Sequence, residues 1–279
     1  MPELPEVETV RRDLATQVVG RRVVEVIVTG RRTIRRQPPA EFAAALRGRT
    51  LVAVERRGKY LLARLDDAAV LVLHLRMSGQ LLLVPGPVAT PPPRHTHVVL
   101  RLDNAAELWF VDPRTFGELF VTAALDDRGV PLVLDALGID PLVDGLDAAV
   151  FAAALRSRRT AVKAFLLDQR VVAGIGNIYA DEICFRAGVR PLRRTEKVTR
   201  REAAALGTAI LEVLQEAVEA RGSTLRDARY RDLAGASGSF QSRHAVYGRT
   251  GAPCPVCGAA IRHAKVAGRS AHFCPHCQH

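Results

Sequence analysis

The sequence predicts an α+β protein with several domains. Residues 23 to about 121 form short runs rich in Val, Leu and Ile that Gly, Pro and Asp separate. Such runs are typical of a β-sheet domain, and a sandwich is the simplest arrangement. Beyond about residue 134 the apolar residues recur at helical spacing, and four cysteines stand after residue 253. We therefore expect domains at residues 1–134, 135–240 and 245–279.

The first element is predicted to be an amphipathic helix. In the opening segment PEVETVRRDLATQVVG, apolar residues lie at helical spacing, and Gly20 suits the end of a helix. Four more helices are expected in the middle domain, over residues 148–155, 161–168, from 177 onward, and 199–220.

Two segments are predicted to be loops. The proline-rich segment 84–94 should form an extended surface loop, because proline suits neither a helix nor a central strand. The Gly/Ser-rich segment RYRDLAGASGSFQSR, residues 229–243, is expected to be a mobile loop that leads to the cysteines.

Composition limits the classes of function. The chain has 279 residues, of which 48% are hydrophobic, and a formal net charge of +11. No segment approaches the length of a membrane span, and the N-terminus lacks the pattern of a signal peptide, so we expect a cytoplasmic location. A charge of this sign attracts polyanions, and nucleic acid is the obvious partner. The alternative is a basic surface that only maintains solubility.

The last four cysteines predict a metal site. They follow the pattern C-x2-C-x16-C-x2-C, which is typical of a structural zinc ion held by four thiolates. The competing interpretation is two disulfides, but a reducing cytosol disfavours them. The predicted ligands are Cys254, Cys257, Cys274 and Cys277. Cys184 is expected to be a small core residue, and the neighbouring histidines are expected to be surface or packing residues.

The N-terminus carries a distinctive amine. Aminopeptidases usually remove Met1 when a small residue such as Pro2 follows, which leaves a secondary amine. An α-amino group has a pKa of about 8, so a fraction of the molecules carries an unprotonated, nucleophilic amine at neutral pH. Attack on a deoxyribose carbon would give an iminium that drives strand cleavage, with Glu3 as a general acid. The alternative is that Pro2 merely starts the helix.

Several motifs together resemble one protein family. The segments MPELPEVETVRR, KYLL, HLRMSGQL, DPRTFG, GIGNIYADEICFRAGVRP, VYGRTG, CPVCG and HFCPHCQ occur in order over almost the whole chain. In this order they closely resemble the formamidopyrimidine-DNA glycosylase family. The resemblance implies a β-sandwich that begins with the nucleophile helix, a helix-two-turns-helix domain and a zinc hairpin. Damaged double-stranded DNA is expected in the cleft between them.

The resemblance also implies catalytic roles. Pro2 corresponds to the Schiff-base nucleophile, Glu3 to the general acid, and Glu6 to a residue that lines the base pocket. Lys59 corresponds to an amine that contacts phosphate and assists β-elimination. Arg269 corresponds to the arginine that grips phosphates and acts in δ-elimination. Without the family, Lys59 is an ordinary hairpin lysine and Arg269 a solvated surface charge, although the chain has only four lysines.

A second group of residues is implied to contact DNA without taking part in bond breaking. Enzymes that act on a base must unstack it, and inserted side chains then hold the helix open. The corresponding gap-filling residues are Met77, Arg114 and Phe116, and the phosphate contacts are His95, Arg158 and Asn177. From the sequence alone, Met77 and Phe116 would be core residues and Asn177 a helix N-cap.

The chain departs from the family pattern at three positions. Arg76 replaces the usual glycine of HLGMSG, Thr115 replaces a common arginine, and Ser239 replaces a frequent tyrosine.

We expect excision of oxidised purines with β,δ-elimination by a monomer, with no small-molecule cofactor. Two alternatives remain: the related pyrimidine-specific branch, and a protein that binds damaged DNA without catalysis.

Overall fold

The computed structural model describes residues 1–30, 32–225 and 230–279. The chain forms two compact units, Met1–Asp135 with Ala220–Ser239, and Ala136–Glu219 with Phe240–His279. The described residues of Ala220–Ser239 group with the strands of the first unit. Within the described ranges, no helix has the length and apolar character that crossing a membrane requires.

Among its described residues, the N-terminal unit contains a β-sandwich and two α-helices. Its two antiparallel sheets have four strands each, in the orders β1-β6-β7-β5 and β2-β3-β4-β8. One apolar core contains residues of all eight strands and of both helices, as the sequence predicted. The elements are α1 (Leu4–Gln17), β1 (Val23–Val28), α2 (Pro39–Leu46), β2 (Leu51–Arg57), β3 (Tyr60–Leu65), β4 (Val70–His74), β5 (Gln80–Val84), β6 (Thr96–Leu102), β7 (Glu107–Val111) and β8 (Glu118–Thr122).

The first helix begins where the sequence predicted it. Pro5 lies in its first turn, where a missing N–H has no cost. Val7, Val10 and Leu14 lie on one face and are buried in the core of the sandwich. This packing places the N-terminus of the chain against the sheets.

The described part of the segment 229–243 is not a free loop. Tyr230 and Leu233 are buried in the core of the sandwich, and the backbone N–H of Leu83 donates to the carbonyl of Leu233. Asp232 accepts hydrogen bonds from the N–H groups of Ala234 and Ala236 and so closes a tight turn. Two apolar anchors and a satisfied carboxylate therefore fix a stretch that composition alone marked as mobile.

The second unit contains four helices and a β-hairpin. A side-chain cap begins two of the helices: Asp147 accepts two N–H bonds at α3, and Thr199 and Glu202 form reciprocal bonds at α6. Large side chains such as Phe151, Phe165 and Tyr179 fill the helical core. The elements are α3 (Ala148–Arg156), α4 (Val162–Leu167), α5 (Asn177–Arg186), α6 (Arg200–Glu219), β9 (Arg262–Val266) and β10 (Arg269–Phe273).

A buried ionic cluster fixes the hairpin to helix α5. One carboxylate oxygen of Asp181 accepts bonds of 2.9 Å from both the backbone N–H and Nδ1 of His272. The other is 2.7 Å from Nζ of Lys163, which also donates to the carbonyl of Ser270. The side chains of Lys163 and Asp181 are fully buried. Because both side chains are buried away from water, the hydrogen bonds of this cluster must stabilise the charges of Lys163 and Asp181.

We expect Lys163→Met to lower the free energy of unfolding by about 3–5 kcal/mol, because it leaves a buried carboxylate without its cation. Urea unfolding followed by circular dichroism measures this change. The control Arg186→Met breaks the half-exposed ion pair with Glu216, and there we expect less than about 1 kcal/mol. Equal losses in the two variants would contradict this account of the cluster.

Candidate active site

The N-terminal residues lie in a buried polar site of the first unit. Pro2, Glu3 and Glu6 are all buried. Glu6 accepts the backbone N–H of Glu3 at 2.8 Å through one oxygen and the backbone N–H of Ser223 at 2.7 Å through the other. One carboxylate thus joins the start of the chain to the segment that follows α6, a contact that no sequence pattern indicated.

A buried ion pair positions the turn that carries Lys59. Nε of Arg56 is 3.1 Å from Glu8 on helix α1, and its guanidinium also donates to the carbonyl of Gly58 at 2.9 Å. Burial disfavours the charged form of Glu8, but the hydrogen bonds and charges of Arg11, Arg56 and Arg12 outweigh it and lower the pKa of this carboxyl. Glu8 is therefore ionised at neutral pH and holds the β2–β3 turn beside α1.

His74 is a neutral acceptor near this turn. Burial, together with the charges of Arg76 and Lys59, lowers the pKa of His74 to about 3. Its Nδ1 accepts the backbone N–H of Arg76 at 2.8 Å. The neutral ring fixes the chain just before Met77, and the sequence analysis had assigned it no role.

Two exposed turns carry the predicted gap-filling residues. Met77 is 40% exposed and Phe116 is 47% exposed, so the alternative that both belong to the core is wrong. The guanidinium of Arg114 lies 4.7 Å from the centroid of the Phe116 ring. Met1, Met77 and Phe116 line one open pocket of about 440 Å³. The fold therefore places the N-terminus and both turns on one surface.

Asp112 connects several of these segments, although sequence analysis did not single it out. It is fully buried, and its carboxylate accepts bonds from the hydroxyl of Ser78 at 2.5 Å and the backbone N–H of Gly117 at 2.7 Å. Its own backbone N–H donates to the carbonyl of His95. His95 is exposed at the end of the proline-rich loop, and it thus adjoins the turn that carries Phe116.

In the second unit, Lys163 connects Asn177 to the residue that follows Arg269. Nζ of Lys163 contacts the carbonyl of Asn177 at 3.5 Å and also the carbonyl of Ser270, next to Arg269. Asn177 is the first residue of α5, and the N-cap position before it is Gly176. Its Oδ1 is buried without a hydrogen-bond partner. Arg269 is exposed at the start of β10.

Arg158 occupies a different environment. Its guanidinium forms an ion pair of 3.0 Å with Asp168, which also pairs with Arg170. The described contacts do not join Arg158 to Asn177 or Arg269. An anion that binds Arg158 must therefore compete with the carboxylate of Asp168 for its guanidinium group.

The four C-terminal cysteines form a site that fits zinc. Their sulfur atoms all lie within 4.8 Å of one another, with Cys254 and Cys277 3.8 Å apart and Cys257 and Cys274 3.4 Å apart. A tetrahedral site with Zn–S bonds of about 2.3 Å places sulfurs roughly 3.8 Å apart, whereas a disulfide needs about 2.05 Å. The four thiolates complete the coordination of one structural zinc ion.

Comparisons with known proteins agree with this geometry. Family models match residues 1–119 (formamidopyrimidine-DNA glycosylase N-terminal domain), 137–229 (the H2TH domain of the same enzymes) and 251–279 (zinc finger found in FPG and IleRS). The formamidopyrimidine-DNA glycosylase of Thermus thermophilus is 47% identical over 100% of this chain and 98% of its own.

Solved structures show the same similarity. The crystal structure of the Thermus thermophilus protein matches with a TM-score of 0.87 and 45% identity, over 99% of this chain and 98% of that chain. Two complexes of the Lactococcus lactis protein each cover 99% of both chains. One contains N7-benzyl-Fapy-dG DNA (TM-score 0.90, 36% identity) and the other oxidised-pyrimidine DNA (TM-score 0.89, 35% identity). The chain belongs to the formamidopyrimidine-DNA glycosylase family, whose members act in base excision repair of damaged DNA.

Proposed function

We propose that this enzyme excises oxidised purines, 8-oxoguanine and formamidopyrimidines, from duplex DNA and then cleaves the strand, with Pro2 as the nucleophile. The observation that carries this proposal is the position of the N-terminus. Met1 lines the same pocket as Met77 and Phe116, and Pro2 and Glu3, which follow it in the chain, are buried. Once Met1 is removed, an amine stands where an everted sugar would enter.

The proposed reaction begins with opening of the duplex. Met77 and Phe116 fill the gap that the everted nucleotide leaves, and Arg114 satisfies the orphaned base. The secondary amine of Pro2 attacks C1′ of the sugar and the damaged base leaves with the glycosidic electron pair. Glu3 donates a proton to the sugar oxygen, so that the ring opens to an iminium.

The iminium then acts as an electron sink for strand cleavage. Loss of a proton from C2′ expels the 3′ phosphate, which is β-elimination, and a second elimination expels the 5′ phosphate. Lys59 and Arg269 are proposed to bind the phosphates beside the lesion and to assist these two steps. His95, Arg158 and Asn177 are proposed to bind phosphates farther along the backbone, and Glu6 to line the base pocket. One chain supplies every group, so we propose a monomer.

A second substrate class has specific support. A structurally similar protein was solved with DNA that contains an oxidised pyrimidine. The pyrimidine-specific branch, however, lacks the gap-filling set that corresponds to Met77, Arg114 and Phe116. We therefore propose oxidised purines as the preferred class and oxidised pyrimidines as the weaker one.

The nucleophile is tested with two substitutions at the same position. Pro2→Gly still allows removal of Met1 and leaves a primary amine, whereas the larger side chain in Pro2→Glu retains Met1. We expect borohydride trapping on abasic duplex to persist at a reduced rate in Pro2→Gly and to fall at least about a hundredfold in Pro2→Glu. Mass spectrometry establishes each N-terminus. Undiminished trapping by a protein that retains Met1 would overturn the proposal.

Lesion preference is tested with matched duplexes. We expect single-turnover cleavage of 8-oxoguanine opposite cytosine to be at least about tenfold faster than cleavage of dihydrouracil opposite guanine, since pocket contacts of this kind discriminate by 1–3 kcal/mol. A duplex with a preformed abasic site controls for strand cleavage itself. Faster cleavage of dihydrouracil would assign the enzyme to the pyrimidine branch, and tight binding without cleavage of any duplex would support a non-catalytic protein.

Zinc is expected to support DNA binding through the hairpin that carries Arg269. Cys257→Ser should bind less than one zinc ion per chain and weaken binding to abasic duplex by about tenfold or more, because metal ligation folds such hairpins. Cys184 is buried and is not one of the four clustered cysteines, so Cys184→Ala serves as the matched control and should keep its zinc. Full DNA affinity in the zinc-depleted Cys257 variant would contradict this role.

A further inference from the structure

We propose that the turns of residues 75–79 and 112–118 act as one rigid wedge that opens the duplex, and that Arg76, Ser78, Asp112 and Glu118 are positioning residues that join them. This inference rests on the proposed function, because it concerns how Met77 and Phe116 are presented to DNA. Two cross-links between the turns and one shared packing surface support it.

The inner cross-link is the buried carboxylate of Asp112. One oxygen accepts the hydroxyl of Ser78 from the first turn at 2.5 Å. The same carboxylate accepts the backbone N–H groups of Arg114 and Gly117 in the second turn, at 3.2 and 2.7 Å. Charge-assisted bonds of this kind are the strong ones, and burial excludes the water that would replace them. Met77 and Phe116 are therefore attached to one anchor.

The outer cross-link is an ion pair between Arg76 and Glu118. The guanidinium of Arg76 is 2.7 Å from Glu118, whose side chain is only 12% exposed. Arg76 adopts a φ of 51°, a left-handed conformation that glycine adopts without strain and arginine does not. The backbone bond to His74 holds this conformation. Arginine at this position thus adds a link between the turns that glycine could not make.

Both turns also lie on the same aromatic ring. A Cβ built on Gly79 would lie 3.1 Å from Cζ of Phe110, and a Cβ built on Gly117 would lie 2.3 Å from the same atom. Neither position has room for a side chain, so the backbone of each turn sits directly on Phe110. Phe110 is buried in the core of the sandwich. Both turns of the wedge therefore pack against the core.

A rigid wedge has a specific advantage in opening DNA. Side chains that displace a base must oppose its stacking, and any freedom lost on insertion weakens the effect. Turns that are already ordered lose little freedom when they enter the duplex. Arg76 and Glu118 line the same pocket as Met1, but as positioning residues they act through Met77 and Phe116, and trapping on single-stranded DNA distinguishes this role from a direct one.

The test is a double-mutant cycle on the outer cross-link, with Arg76→Gln, Glu118→Gln and the double variant. Each single change should slow single-turnover excision of 8-oxoguanine from duplex DNA by about tenfold, the size expected for one charge-assisted hydrogen bond. The double variant should be no slower than either single one. Ser78→Ala should give a similar loss through the inner cross-link. Thermal unfolding of each variant establishes that the sandwich is intact.

Two further readouts separate wedge insertion from chemistry. Borohydride trapping on single-stranded abasic DNA needs no wedge, so all these variants should trap at the wild-type rate. Fluorescence of 2-aminopurine placed opposite a tetrahydrofuran site in duplex DNA reports insertion without catalysis, and the variants should show a smaller change than the wild type. Arg36 contacts Glu118 at 3.6 Å from outside both turns, so Arg36→Gln is the matched charge control and should change each rate less than twofold.

Three outcomes would overturn the wedge. Wild-type fluorescence and excision in all variants would show that the cross-links do not matter. A loss in Arg76→Gln that Glu118→Gln does not reproduce would show that Arg76 contacts DNA itself. An equal loss on single-stranded DNA would place the effect in the chemistry. If the wild type neither traps nor excises, the proposed function fails, while the fluorescence still decides whether the wedge inserts.

Discussion

The carboxylate of Glu6 is almost fully buried in the first turn of α1, and both of its oxygens accept backbone N–H groups. One bond fixes Glu3 beside the N-terminus and the other fixes Ser223 beyond the end of α6. A nucleophile at the end of a chain, as we propose for Pro2, is unusual, because chain ends are ordinarily the least ordered residues. Here the first helix is packed on the sandwich and Glu6 holds its beginning, so the terminal amine has a defined position. Every step proposed for the reaction depends on this constraint.

Buried carboxylates that accept backbone N–H groups also occur elsewhere in the protein. Asp112 accepts N–H groups from the turn that carries Phe116, Asp181 accepts one from the zinc hairpin, and Glu182 accepts three from residues 245–247. Burial raises the pKa of Glu182, although these three bonds oppose the shift. A buried carboxylate is costly to desolvate, and it persists only where several donors satisfy it. Each such residue therefore fixes the position of a segment that is distant from it in the chain.

The four lysines of the chain differ in their exposure to solvent. Lys59 and Lys163 are buried, whereas Lys197 and Lys265 are exposed. Their scarcity in an arginine-rich chain suggested positions that need an amine. Lys163 meets this expectation structurally, since a compact ammonium reaches Asp181 and two backbone carbonyls that a planar guanidinium would not fit. Lys59 lies in the turn beside His74 and is the one for which we propose a role toward DNA.

The sequence by itself determined the fold class, the first helix, the β-rich region and the four zinc ligands, because periodicity and short spacings encode them locally. The motifs also identified the family and, through it, the candidate residues from Pro2 to Arg269. Only the tertiary structure decided that Met77 and Phe116 are exposed, that Tyr230 and Leu233 are buried in the sandwich, and that Arg158 is held by Asp168. It alone revealed Asp112, Glu118 and Asp181 as anchors. The physical reason is that a buried carboxylate binds donors that are distant in the chain, and no local pattern records which backbone N–H groups will meet it.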